Sequence, residues 1–257
     1  MTGTSEAPLV EIFSSVQGEG RHVGLPMSFV RVAKCPIRCA YCDTTNSYVA
    51  ESEFPVRIGA SETRHGNPVT ADLAAELAVA SAASNPFGTT RWVSLTGGEP
   101  LLYPEFVAEV GAALRARDLR VFLETAALDA EAFARCAPAI DHASLDYKLP
   151  GTLTTGDEQA AGEQSAACVA IAAEQSIPVD VKMVLTPAVS EDGISTALTR
   201  LRSLRDRFRL VLQPVTPCLD VGYPCSTEKV ARAATLAADA GYTPLVLSQI
   251  HKLLGVD

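Results

Sequence analysis

The chain has 257 residues, 47% hydrophobic and 20% charged, a balance that suits one folded core and excludes disorder as the main state. A formal net charge of −9 runs against a nucleic-acid partner, which calls for a basic face. No segment reads as a membrane span, and the short polar stretch from Met1 to Pro8 lacks a signal peptide's apolar core, so the expected location is the cytoplasm.

In chain order, a Gly-rich stretch over 18–24 precedes the first clear strand, 27–33 (MSFVRVA), which runs into a loop holding three cysteines. Residues 47–68, with Pro55, Gly59, Gly66 and Pro68, read as a long polar loop inserted in the fold. An Ala/Leu-rich helix is expected over 70–83, then a strand over 92–95 ending in Thr96-Gly97-Gly98-Glu99-Pro100. Pro104 suits the first turn of the next helix, where Phe106, Val110, Ala113 and Leu114 recur at helical spacing. Strands over 120–125 and 143–148 flank a short helix over 131–136. A helix over 157–175 leads to a strand over 179–185, a helix around Ile194, Leu198 and Leu201, and a strand over 210–215. Ser226 caps a last long helix that ends near Gly241, and 243–247 is a short closing strand.

Alternating strands and helices imply parallel βα units with right-handed crossovers. Six units are too few for a closed eightfold barrel. The expected fold is therefore α/β, a partial barrel or open sheet in a single domain over 1–257.

Seven cysteines, odd in number, argue against a disulfide framework. Cys35, Cys39 and Cys42 lie within eight residues of one another; Cys136, Cys168, Cys218 and Cys225 are scattered. Three thiolates on one tight loop suit three irons of a [4Fe–4S] cubane, with the fourth iron left to a small-molecule ligand. A zinc site is the alternative, but zinc wants a fourth ligand, and His22, His65, His142 and His251 form no second pair at matching spacing. The two glycines of 96–100 allow a close backbone approach, and Glu99 can accept a hydrogen bond from an ammonium group. On 144–148, strand alternation puts Ser144, Asp146 and Lys148 on one face and Leu145 and Tyr147 on the other.

The spacing Cys-x3-Cys-x2-Cys, with aromatic Tyr41 before the last cysteine, resembles the radical S-adenosylmethionine (SAM) superfamily. That resemblance implies a partial (β/α)6-type TIM barrel and a SAM molecule chelating the open iron and cleaved to a 5′-deoxyadenosyl radical. It implies SAM contacts from Tyr41, Gly97, Gly98, Glu99, Glu124, Ser144, Asp146, Lys148 and Gln213.

Upstream, Glu11-Ile-Phe13-Ser-Ser-Val-Gln17-Gly18-Glu19-Gly20, then Gly24-Leu-Pro26 and Phe29-Val-Arg31, resemble the 7-carboxy-7-deazaguanine synthase family, as do Cys42-Asp43-Thr44 and Gln249-x-His251-Lys252. That family converts 6-carboxy-5,6,7,8-tetrahydropterin to 7-carboxy-7-deazaguanine with loss of ammonia, on the route to queuosine. Carried over, the resemblance makes residues 1–25 a substrate-binding extension and 243–257 a tail closing the pocket. Substrate contacts are expected from Phe13, Gln17, Gly18, Glu19, Gly20, Arg31, Thr96, Gly97 and His251, and a Mg²⁺ contact from Thr44. The implied partners are the pterin, an external one-electron reductant of the flavodoxin or ferredoxin type, and a second copy in a homodimer. Lys34 stands where the family usually has glycine. Two rival readings stand beside this one. A glycyl-radical-enzyme activating enzyme shares the cysteine and Gly-Gly-Glu motifs but needs an open groove. A non-enzymatic iron–sulfur electron-transfer protein usually has a fourth cysteine.

Overall fold

The structure, a computed structural model, describes residues 4–256. Met1 to Gly3 of the N-terminal extension and Asp257 of the tail lie outside the described residues. One ten-stranded sheet organises the chain. Its strands are β1 (Leu9–Val16), β2 (Pro26–Val32), β3 (Glu53–Ile58), β4 (Ser61–Gly66), β5 (Trp92–Gly97), β6 (Arg120–Thr125), β7 (His142–Asp146), β8 (Val179–Leu185), β9 (Arg209–Pro214) and β10 (Leu245–Val246). Their spatial order is β10-β9-β8-β7-β6-β5-β2-β1-β3-β4. From β2 through β10 every neighbour is parallel; β1 returns antiparallel to β2.

Helices α1 (Ala71–Ala83), α2 (Pro104–Arg115), α3 (Ala130–Cys136), α4 (Glu158–Glu174), α5 (Glu191–Arg200) and α6 (Thr227–Asp239) follow β4, β5, β6, β7, β8 and β9 in turn. Six parallel strands, β2 and β5 to β9, thus each lead to one crossover helix, the partial barrel expected from the alternation. The helices begin where a side-chain oxygen meets an otherwise unpaired amide. Asp129 accepts from Ala132 N at 2.9 Å, Asp157 from Ala160 N at 3.0 Å, and Ser226 from Lys229 N at 3.2 Å.

Alternation along each strand sorts the side chains. Val30, Val32, Val93, Leu95, Val121, Leu123, Leu145, Val181 and Met183 pack under the helices as the main core. Ser94, Thr96, Glu124, Ser144, Asp146, Lys182 and Gln213 therefore point to the concave side. That polar concave face carries the site.

Two expectations are corrected. Residues 53–66 are not loop: they form a hairpin, β3–β4, turning at Gly59 (φ +60°), that extends the sheet beyond β1. Phe54 and Val56 are buried at alternate positions, a period obscured by Pro55 between them, while β4 is polar and mostly exposed, as suits an edge strand. The first strand of the sheet is β1, not β2. Its apolar period is hidden because both faces are covered: Ile12 enters the main core and Phe13 stacks on Phe29 across the concave side, ring centroids 5.0 Å apart.

Candidate active site

The C-terminal ends of the parallel strands face one cavity of about 370 Å3. Cys35, Cys39 and Cys42 sit on the loop after β2 and all three line it. The loop is shaped by its own backbone. Lys34 adopts φ +70° and donates its amide to Ser47 O at 2.6 Å. Arg38 caps the carbonyls of Cys35 and Ile37 at 2.8 Å and lies over the Tyr48 ring. Gly97 and Gly98 are required by this loop: a Cβ on Gly97 would come 2.3 Å from Val32 O, and one on Gly98 would come 2.0 Å from Lys34 O. Both glycines also line the cavity.

Burial pushes the Cys35 thiol up to about 11, and burial likewise raises Cys39 against the pull of the Lys148 ammonium. Such thiols ionise readily only with a cation to bind them. Three free thiols on one loop fit the three-cysteine cubane. None of the other four cysteines lines the cavity. Cys218 comes nearest, its thiol donating to Tyr41 O at 3.2 Å rather than supplying a fourth ligand. The donor set leaves one iron for an amino and carboxylate chelate.

Next to the thiols lies a chain of alternating charges. Lys148, 4% exposed, contacts Asp146 at 2.8 Å and donates to Tyr41 Oη at 3.2 Å; Tyr41 donates to Asp146 at 3.3 Å. Lys182 lies 3.6 Å from Asp146 and pairs with Glu19. Glu19 also accepts from Gln213 at 3.1 Å and from Gln249 at 2.8 Å. The Asp146 carboxyl is held below the usual range: burial opposes its charge, but the Lys148 and Lys182 ammonium groups outweigh it.

On the wall formed by β1 and β2, Arg31 donates to Glu11 at 2.9 Å, lies 5.4 Å from the Phe13 ring centre, and donates to Thr44 Oγ1 at 3.4 Å. Thr44 donates to Asp43 at 3.0 Å. The tail closes over this corner. Asp43 meets Gln249 at 3.3 Å, Lys252 at 3.2 Å and His251 at 3.9 Å, while Ile250 N donates to Gly18 O at 3.0 Å. The His251 ring lies so close that a Cβ on Gly18 would fall 1.7 Å from its Nδ1.

The structure thus brings together around one cavity Cys35, Cys39, Cys42, Tyr41, Thr44, Phe13, Gln17, Gly18, Glu19, Arg31, Thr96, Gly97, Gly98, Glu124, Ser144, Asp146, Lys148, Gln213 and His251. Gly20 and Glu99 lie outside that lining. Gly20 turns at φ +64° beneath the barrel, where a Cβ would meet Asp180 Oδ2 at 2.9 Å. The Glu99 carboxylate, 1% exposed, is taken up by Thr125 Oγ1 and by the amides of Leu101 (2.9 Å) and Ala126 (2.8 Å). Gln17 and Glu124 face the cavity but bind one another at 3.1 Å, and Gln17 Oε1 accepts the Glu19 amide at 3.0 Å, so Gln17 sets the Glu19 loop. Sequence reasoning missed Lys182, Asp43 and Glu11. Lys182 had a signal: with Asp180 it is one of two charges at alternate positions of an otherwise apolar strand.

A partial barrel of six βα units with three thiols after its first parallel strand defines a radical SAM enzyme, and the sequence profile of the radical SAM superfamily matches residues 30–201. A 7-carboxy-7-deazaguanine synthase of Methanothermobacter thermautotrophicus is 30% identical over 97% of this chain and 98% of its own length. One from Methanopyrus kandleri is 34% identical over 95% and 92%. The solved structure of QueE from Escherichia coli matches with a TM-score of 0.55 at 17% identity, covering 94% of this chain and 93% of that one, a likeness of fold. The chain belongs to the 7-carboxy-7-deazaguanine synthase family of the radical SAM superfamily.

Proposed function

We propose that the protein converts 6-carboxy-5,6,7,8-tetrahydropterin to 7-carboxy-7-deazaguanine with loss of ammonia. The observation that carries this reading is one cavity lined both by the three thiols and by Arg31, Glu19, Thr44 and His251. Its volume suits small molecules, and the tail laid across Gly18 and Asp43 covers one corner of it, where a glycyl-radical activase needs an open groove. A plain electron-transfer protein has no use for the charged wall beside the thiols.

Cys35, Cys39 and Cys42 hold the cluster, with Tyr41, Ser144, Asp146 and Lys148 beside the place for SAM. Once bound, the cluster and SAM would supply the radical hydrogen-abstraction chemistry of the superfamily. The rest is positioning by this chain. Arg31, braced by Glu11 and Phe13, offers a planar cation to the pterin ring or its carboxylate. Thr44 Oγ1 and the adjoining Asp43 carboxylate are oxygen donors that would hold a Mg²⁺, a cation suited to the substrate carboxylate. Glu19 presents an acceptor to the amide and amino edge, exchanging the Gln213 or Gln249 donor for the ligand. Two anchors on a flat ligand fix which carbon faces the radical. The reductant in this reading is of the flavodoxin or ferredoxin type, the setting is the cytoplasm, and the working form is a homodimer.

The test is an anaerobic turnover with SAM, reductant and substrate deuterated at C6, the carbon bearing the carboxylate. Product formation with deuterium in 5′-deoxyadenosine is expected. Product without that transfer would overturn C6 as the abstraction site, and no product would overturn the substrate.

A further inference from the structure

Beneath the barrel, at the opposite ends of the strands from the thiols, three further donors converge. His142 is the first residue of β7, Asp180 the second of β8, and His22 lies in the turn between β1 and β2. One ligand atom from each lies within 4.8 Å of the others. Asp180 is fully buried and His142 is 3% exposed. His142 Nε2 and His22 Nδ1 are both buried without a hydrogen-bond partner, and His142 Nε2 stands 3.7 Å from Asp180 Oδ1, beyond hydrogen-bond reach. Two orphaned imidazole nitrogens beside a buried carboxylate need a reason, because each unmade bond costs about 1–3 kcal/mol.

We propose that His22, His142 and Asp180 bind a divalent transition-metal ion of the zinc class at the base of the barrel. Two imidazoles and one carboxylate are a zinc or iron(II) donor set; magnesium and calcium prefer oxygen alone. The surroundings hold the rings in place. His142 stacks on Phe122 with centroids 5.1 Å apart and planes 2° apart, and His22 meets His142 edge-on at 4.4 Å. Arg21 acts as the outer partner of the carboxylate: its amide donates to Asp180 Oδ2 at 3.0 Å, and its side chain binds Asp180 and, at 2.7 Å, Val179 O. Gly20 is glycine so that this carboxylate can approach. The ion would fasten the turn carrying Gly18 to His22, and with it Glu19, to β7 and β8.

The test uses the cluster-loaded protein, freed of loose metal by a chelator and then titrated anaerobically with Zn²⁺. The expected result is one tight zinc per chain, with an X-ray absorption shell of imidazole nitrogen and oxygen and no sulfur. His22→Gln and His142→Gln should each weaken that zinc by more than about a hundredfold, since even outer partners of metal ligands are worth roughly ten- to a hundredfold. Should His142→Gln fail to fold, the half-buried His22→Gln decides alone, read with its iron content as a check of folding. Zinc bound equally by His22→Gln and the natural chain, a shell containing sulfur, or no tight zinc in the natural chain would each overturn the site.

Discussion

Lys34 carries the clearest single-residue cost in the site. Its φ of +70° lies in the left-handed region, its side chain is exposed, and both its amide and its carbonyl are in use. An L-residue there costs about 1–2 kcal/mol, partly offset by the greater freedom that glycine loses on folding. Lys34→Gly is therefore expected to raise stability by roughly 0.5–1 kcal/mol in urea denaturation with iron content unchanged. Glu99 is the converse case, a residue expected at the ligand whose carboxylate is paired within the chain by Thr125 and two backbone amides. Burial pushes its carboxyl up, against the Thr125 hydroxyl and two backbone amides that favour the charged form. Glu99→Gln sets an amide N–H against these donors and should cost about 1–3 kcal/mol of stability, measured by denaturation. Unchanged stability with a higher KM for SAM would return Glu99 to ligand binding.

At the scale of elements, the site depends on two short segments far apart in sequence, the loop carrying Cys42 to Thr44 and helix α7 (Ile250–Leu254) with its lead-in residue Gln249. Asp43 joins them, contacting Gln249, His251 and Lys252. Asp43→Ala should loosen the tail while leaving the cysteines in place. Tail amides should then exchange faster with solvent, and the KM for substrate should rise roughly tenfold, as loss of a charge-assisted contact of about 1.5 kcal/mol implies. Equal exchange in the two proteins would show that the contacts to Gly18 and Glu19 suffice to hold the tail.

For the whole molecule, the main core lies on the helix side of the sheet and the thiols on the other. A cluster held by these thiols would tie a loop without holding up the barrel. Its removal by chelation should lower Tm while preserving helix content by circular dichroism and a single cooperative transition. The strands from β5 to β9 could be read from the sequence because each is a short run rich in apolar residues between helical segments, and caps such as Asp157 and Ser226 announce the helices. β1 escaped because Ile12 and Phe13 serve two different cores, and β3 because Pro55 breaks its pattern. In the site, the cysteine loop was legible from spacing alone. Lys182 and Asp43 were not, since their roles come from partners more than a hundred residues away in sequence: Glu19 for Lys182, and the tail for Asp43.

The overlap of His251 with the space above Gly18 has a kinetic consequence. A ring set that tightly against the backbone covers the Gly18 corner of the pocket, held there by the Ile250 amide and the Asp43 contacts. Under the proposed function, substrate or product passing that corner would require the tail to swing outward and back. On that reading the inward swing would precede chemistry, keeping a carbon radical from bulk water and committing the enzyme to its substrate before SAM is cleaved.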